Sequence, residues 1–268
     1  MSASLSYSKT TDWRLPRLRR GALAVWRRNA LVWRKLMGAS ILINFGEPFV
    51  YLLGLGFGLG HFIGDMAGMP YLTFLASGLV ASSAMNTASF EAMYSVYTRM
   101  VPQRTYDAML ATPLDVDDIA AGEMLWSASK GLISSSSILI VSVLLGAVTE
   151  WTALWAVPVL WLVGLCFAGP ALVMSALSPS YEFFSYYFTL VVTPMFIFSG
   201  VFYPIATLPA MLQAAVQILP LTHAIALIRP LVSGQPVTQV ALHLAVLCAY
   251  ALVCYYIAVV LIRRRLIV

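Results

Sequence analysis

Charge is what this chain has least of. Only 10% of its 268 residues are Asp, Glu, Lys or Arg, while 60% are hydrophobic, against about 25% charged in an ordinary soluble domain. That balance excludes a water-soluble globule and fits one compact helical membrane domain with little mass on either side. Cysteine is scarce too. Cys166, Cys248 and Cys254 all lie in apolar runs, without the pairing or spacing of a disulfide framework or a metal site, and read as small hydrophobes. The histidines His61, His223 and His243 are far apart, with no HExxH or similar spacing, so no metal site is expected. GxxxxGK[ST] does not occur. If ATP is used, another chain holds it.

What charge there is sits unevenly. Nine of the 16 Lys and Arg precede residue 36, which places the N-terminus in the cytosol by the positive-inside rule. That basic segment runs straight into a membrane span, so no nucleic-acid partner is indicated. The first apolar run begins near Met37 and has full span length, so it is expected to stay in the mature protein.

Residues 1–14 form a polar tail. Residues 15–36 read as an amphipathic helix with Leu18, Ala22, Val25, Asn29, Val32 and Leu36 on one stripe and Arg20, Arg27 and Arg34 beside Arg28 and Lys35. Trp26 and Trp33 favour a helix lying on the cytosolic leaflet over a solvated one. Spans are expected at about 37–60, 71–97, 119–148, 151–177, 183–203 and 237–262. The first carries Glu47-Pro48 and two GxxxG pairs, Gly54 with Gly58 and Gly56 with Gly60, which permit close helix contact. The second carries Glu91. Glu47 and Glu91 are costly in lipid, so each is either paired to a cation or in contact with substrate.

In the third span Glu123 and Lys130 lie two turns apart on one face, and the hydroxyls of Ser134 to Ser137 are expected to bond their own backbone. Pro158 and Pro170 are expected to break the fourth span. Aromatic residues from Tyr181 to Phe188, Tyr186 and Tyr187 among them, begin the fifth. They suit an interfacial belt or stacking on sugar rings. Counting the apolar run 206–227 as a seventh span would put Arg263, Arg264 and Arg265 outside. Pro209, Pro220 and Pro230 interrupt it, so 204–235 reads as an external re-entrant hairpin. The three arginines are expected to matter more for orientation than for activity.

The fold class is therefore an all-α polytopic membrane protein. It has six transmembrane helices, an N-terminal amphipathic interfacial helix, an external re-entrant hairpin before the last span, and both termini in the cytosol.

The loop 99–118, RMVPQRTYDAMLATPLDVDD, is the one long polar interruption. Thr105 is placed to cap a short helix, Tyr106 to Leu110, with Asp107 in its first turn. Pro113 ends it, and Asp115, Asp117 and Asp118 offer the next cap. Such a helix is either part of an ordinary solvated loop or a lever pushed by a cytosolic partner. A proton-coupled carrier using Glu47 or Glu91 is the alternative class. No inverted repeat supports it.

Two stretches carry a resemblance beyond these patterns. TYDAMLATPLDVDDIAAGEMLW, Thr105 to Trp126, resembles the cytosolic loop and following helix of type-2 ABC exporter permeases, and FSGVFYPIATLPAMLQAAVQILPLTHAIALIRPLVSG, Phe198 to Gly234, resembles their C-terminal signature. WRRNALVWRKL (Trp26 to Leu36), NFGEPFVYLLGLGFGLG (Asn44 to Gly60) and SFEAMYSVYTRM (Ser89 to Met100) are similar to the nodulation J branch of that family, associated with lipo-chitooligosaccharide export.

The resemblance implies a permease in the bacterial cytoplasmic membrane, dimeric with a second copy and joined by two ATP-binding cassette subunits that hold ATP and Mg. Residues 15–36 become a connecting helix. Thr105, Tyr106, Asp107, Ala108, Met109, Leu110 and Pro113 become the ATPase-coupling segment. Ser199, Gly200, Pro204, Pro209 and Pro220 become an external gate. Cargo would be an amphipathic lipid-linked saccharide, or on the same machine a drug or other hydrophobic compound.

Overall fold

The computed structural model describes residues 13–35, 37–38 and 50–266; Glu47 and most of the first half of the first span lie outside them. Seven principal helices follow in order: α1 Gly21–Arg34, α2 Tyr71–Phe90, α3 Thr105–Leu110, α4 Val116–Leu144, α5 Ala156–Leu177, α6 Pro220–Ser233 and α7 Val240–Leu266. Between α1 and α2 a π-helical stretch, Leu52–Phe57, leads into one turn at Gly60–Ile63 and a tight antiparallel hairpin pairing Asp65 with Pro70 and Met66 with Met69. Beyond α2 the helix continues through a π turn, Glu91–Ser95, to Met100. The expected fifth span is helical over 183–198, with a π turn at Phe188–Val192.

Among the described residues, Val116–Leu144, Trp151–Leu177 and Val240–Leu266 are each long and apolar enough to cross a membrane. Ala210–Val216 and Pro220–Ser233 together would also suffice in length and composition, but they meet at 89°. Leu219 is extended between them, because the residue before Pro220 is pushed out of the helical region. The chain is an all-α membrane protein, and the 204–235 stretch is a sharply bent pair.

The helices pack through small residues. On α5, a Cβ added to Gly164 would stand 2.8 Å from Ala128 Cα and 2.9 Å from its carbonyl oxygen, so α4 and α5 touch backbone to backbone as membrane helices do at small side chains. Gly131 meets the carbonyl of Ala84 in the same way across α2 and α4. Gly164→Ala is expected to lower the thermal midpoint of the solubilised protein by roughly 2–12 °C, since forcing packed backbones apart costs about 1–3 kcal/mol. A light-scattering melt checks this.

Proline behaves differently from expectation in α5. The helix is continuous from Ala156 through Pro170 to Leu177. Pro158 falls in its first turn, where a missing N–H forfeits nothing, and Pro170 is accommodated because neighbouring helices hold the segment. Ser135 and Ser137 do bond back to Leu132 and Ile133, but the Ser134 hydroxyl pairs with Ser83 on α2 at 2.9 Å.

Two ends of the bundle differ in chemistry. At one, Asp115 caps α4 in a reciprocal box with Asp118, Arg263 donates to both oxygens of Asp117 at 2.7 and 2.6 Å, and Arg265 donates to the carbonyls of Ser175 and Ala176 at 2.9 Å each. Arg264 stacks on Trp13, 4.5 Å from its ring centre. Arg263 and Asp117 are both 1% exposed, so the C-terminal arginines are structural members and more than an orientation signal. At the other end, Thr73 donates to Ala147 O, Thr152 to Leu231 O and Tyr250 to Ile218 O.

α1 lies along α4 near the charged end. Ala22, Val25 and Asn29 are its buried stripe, while Leu18 and Val32 are exposed. Trp26 donates to Ser129 Oγ at 3.0 Å, and Trp33 meets Trp126 edge-on at 6.1 Å. The two tryptophans thus turn toward α4, and Leu23, Leu31 and Val32 stay exposed elsewhere on the helix.

Candidate functional site

The short helix expected in the polar loop forms as α3, Thr105–Leu110. Thr105 is its first helical residue, not its cap. Arg104 occupies the cap position with φ +49°, and the Thr105 hydroxyl donates to Gln103 Oε1 at 3.4 Å. Asp107 lies in the first turn, exposed, beside Arg104 at 3.9 Å. Pro113 is exposed after the helix has closed through Thr112 onto Met109 O.

α3 has two unlike sides. Tyr106 is fully buried and Met109 and Leu110 are half-buried against the core. Asp107, Ala108, Ala111, Thr112 and Pro113 face outward. Six residues cannot hold a helix in water by backbone bonds alone, so Tyr106 is what seats it.

The seat is a buried polar cluster. Arg99 Nη2 donates to Glu123 Oε2 at 2.6 Å and to Glu91 Oε1 at 3.3 Å. Trp126 Nε1 donates to the same Glu91 oxygen at 2.9 Å, and Asn29 Nδ2 donates to Glu123 Oε2 at 3.0 Å. Tyr106 stands beside Arg99 and Glu123. Burial, reinforced by the Glu123 charge, pushes its hydroxyl well above the ordinary tyrosine value, so it stays protonated. Arg99 thus ties together α4, the helical extension of α2 and the seat of α3, and α1 joins the cluster through Asn29.

The π turn makes this possible. In a regular helix eight residues turn through about 800°, leaving Glu91 and Arg99 roughly 80° apart. One extra residue in the turn Glu91–Ser95 brings them back to within about 20°. The wide turn is what lets Arg99 reach Glu91.

Above this cluster runs a groove of about 610 Å³. Hydroxyl and amide groups line it from α2 and α4: Ser82, Ser83, Asn86, Thr87 and Ser134. Tyr51, Phe90, Phe188 and Phe196 supply aromatic walls, and Glu91 and Lys130 stand among the lining. Lys130 Nζ sits 5.2 Å over the Trp33 ring. Hydroxyls, amide, a charge of each sign and aromatic faces in one groove suit an amphiphile with a hydroxyl-rich head.

At the other end, the expected gate residues are helix starters and a turn. Pro204 precedes the 3-10 turn Ile205–Thr207, Pro209 precedes Ala210–Val216, and Pro220 opens α6. Gly200 adopts φ +86°, which a side chain would resist. Its carbonyl accepts from Arg229 at 2.7 Å, and Arg229 also donates to Ser77 Oγ and stacks on Phe74, 3.6 Å from the ring centre. Ser199 is buried in that turn. His223 and His243 join α6 to α7 through a 2.8 Å contact between ring nitrogens.

Of the four expected pathway residues, Glu91 lines the groove. Tyr186 is 64% exposed on the bundle surface, Tyr187 is buried toward Cys166 and Cys254, and Glu47 lies outside the described residues. Sequence reasoning did not single out Arg99, Asn29 or Arg229. Each carried a signal: a polar side chain in an otherwise apolar stripe or run is costly and needs a partner.

The model of the ABC-2 type transporter family matches residues 20–232. The chain belongs to this family. It is 46% identical over 245 residues to nodulation protein J of Rhizobium meliloti (strain 1021), covering 91% of this chain and 93% of that protein. Against nodulation protein J of Rhizobium leguminosarum bv. viciae the identity is 48%, with 91% and 94% covered. The inner membrane transport permease YadH of Escherichia coli (strain K12) is 27% identical over 66% of this chain and 68% of its own length. This ABC-2 chain is thus a multi-pass inner-membrane permease of an ABC exporter, a transporter membrane subunit.

Proposed function

We propose that the chain is the six-span permease half of an ATP-driven exporter with both termini in the cytosol. A second copy completes the pathway, and two ATP-binding subunits bind ATP and Mg and dock on the outward face of α3. The observation that carries this reading is the two-sided α3: Tyr106 is seated in a cluster tied to three other helical segments, while Asp107 and Ala108 are left free for a partner. A push on that face is passed to α1, α2 and α4 together. The charged end, with α1 and Arg263 to Arg265, faces the cytosol, and the exposed Leu23, Leu31 and Val32 of α1 meet the leaflet. The bent pair at 210–233 caps the pathway from outside.

The cargo is an amphipathic lipid-linked saccharide of the lipooligosaccharide class. High identity to nodulation protein J supports it, as does the mixed hydroxyl and aromatic lining of the groove. A hydrophobic drug uses the aromatic walls but offers nothing to Asn86 and Thr87. The proton-coupled carrier is disfavoured because Glu91, one of its two expected relay carboxylates, is engaged by Arg99 and Trp126.

Affinity purification from native membranes tests the assembly. A protein carrying a Walker A motif is expected to elute with the wild-type chain and to be lost, roughly tenfold or more, with Ala108→Arg, which disturbs only the exposed face of α3. Wild-type chain recovered repeatedly alone, and active without nucleotide, would overturn the exporter reading.

A further inference from the structure

Glu91 belongs to two assemblies at once. It lines the groove, and its Oε1 accepts from Arg99 and Trp126 in the cluster that seats α3. Its second oxygen has no hydrogen-bond partner among the described residues, and the groove that Glu91 lines also presents Lys130, which stacks over Trp33 and donates no hydrogen bond among the described residues. An acceptor and a donor with bonding capacity to spare in one groove match the vicinal hydroxyls or acetamido group of a neutral sugar ring, with Phe90 and Phe188 placed for its apolar face.

The cluster beneath has spare bonding capacity. Among the described residues, Arg99 Nε, Glu123 Oε1 and Tyr106 Oη are all buried and all without a hydrogen-bond partner. Each unmatched buried group costs about 1–3 kcal/mol, so the arrangement seen here competes with a second in which these three groups pair with one another. Arg99 chooses between them. Held by Glu91 it is drawn toward the groove; released, it is free to turn its Nε to Glu123 and leave Tyr106 to bond the remaining carboxylate oxygen. Two discrete pairings of one packed cluster are the physical basis for passing a signal between sites.

We propose that Glu91 reports occupancy of the groove to the coupling helix. A hydroxyl-rich, uncharged head engages Glu91 and Lys130, weakens the Glu91–Arg99 contact, and shifts the Arg99–Glu123–Tyr106 cluster that positions α3 against the ATP-binding subunit. In this role Glu91 confers specificity for the head of the cargo, and Arg99, Glu123 and Tyr106 are positioning residues. The proposal rests on the exporter reading above.

The test uses the whole complex of permease and ATP-binding subunits in nanodiscs, with N-palmitoyl chitotetraose as probe and palmitate or free chitotetraose as controls. Probe binding and ATP hydrolysis are read separately. Wild type is expected to hydrolyse ATP several-fold faster with the probe than with either control. Glu91→Gln keeps a neutral acceptor in the groove, so probe affinity should fall by no more than about tenfold, one lost charge-assisted hydrogen bond, while the stimulation ratio drops to about 1. Tyr106→Phe lies outside the groove; it should bind the probe as wild type does and lose most of the stimulation. Stimulation of wild-type size in both variants would overturn the relay alone. A wild-type permease that recovers no ATP-binding subunit, so that no complex forms to assay, would overturn the exporter reading and the relay with it.

Discussion

Arg263→Ala is expected to deplete folded permease more than any other single change at the charged end of the bundle. Both members of the Arg263–Asp117 pair are 1% exposed, and the guanidinium spans both carboxylate oxygens at 2.7 and 2.6 Å. Its Nη1 also donates to the carbonyl of Arg14, while Asp117 accepts from the backbone N–H of Arg17. Removing the arginine therefore leaves a buried carboxylate uncompensated and frees the segment leading into α1. Breaking one partner of such a pair costs about 3–5 kcal/mol, which for a chain of this size corresponds to roughly 6–20 °C in thermal midpoint.

Arg264→Ala is the control. Arg264 is exposed and stacks on Trp13, and contacts of an exposed charge contribute about 0.5–1 kcal/mol each, so the midpoint should fall by less than for Arg263→Ala. The double variant Arg263→Met with Asp117→Leu should recover much of the loss, since an apolar pair of similar volume leaves no charge behind. Equal small shifts for Arg263→Ala and Arg264→Ala would show that the C-terminal arginines act only on orientation.

That contrast marks what could be read from the sequence. Scarce charge and long apolar runs declared a helical membrane protein, and the polar run 99–118 with Pro113 and three aspartates declared a short helix followed by a capped one; α3 and the Asp115 box are both there. Local chemistry decides such features. The pairings that hold the site join residues far apart in the chain: Arg263 with Asp117 at a separation of 146, and Asn29 with Glu123 at 94. Charge counting sees Arg263 as a topological marker and cannot see its partner.

The π turn at Glu91–Ser95 was hidden for another reason. Its sequence, EAMYS, reads as ordinary helix, and the wide turn is maintained by the Arg99, Trp126 and Glu91 contacts it creates. Pro170 inverts the case: locally it reads as a break, yet packing in the bundle keeps α5 whole.

Tyr106→Ala is expected to abolish transport while leaving the chain in the membrane. Truncating a fully buried aromatic costs about 3–5 kcal/mol, and here that loss falls on a six-residue helix with one fully buried side chain. The tethering of α3 to the bundle is then comparable to or weaker than the cost of ordering it, so the helix comes away from Arg99 and Glu123. The spans, packed through Gly131 and Gly164, are untouched. Asp107→Lys acts on the opposite face. It reverses the charge beside Arg104 and alters docking without unseating the helix. The two variants separate in limited proteolysis of the loop 101–115. Tyr106→Ala should be cut at least tenfold faster than wild type, Asp107→Lys at the wild-type rate, and both should fail to export. Tyr106→Phe, which keeps the buried ring in its seat, should match wild type in proteolysis. If Tyr106→Ala resisted proteolysis as wild type does, the seat of α3 would have to lie in Met109 and Leu110, and the link from Arg99 to the partner subunit would be broken at its first step.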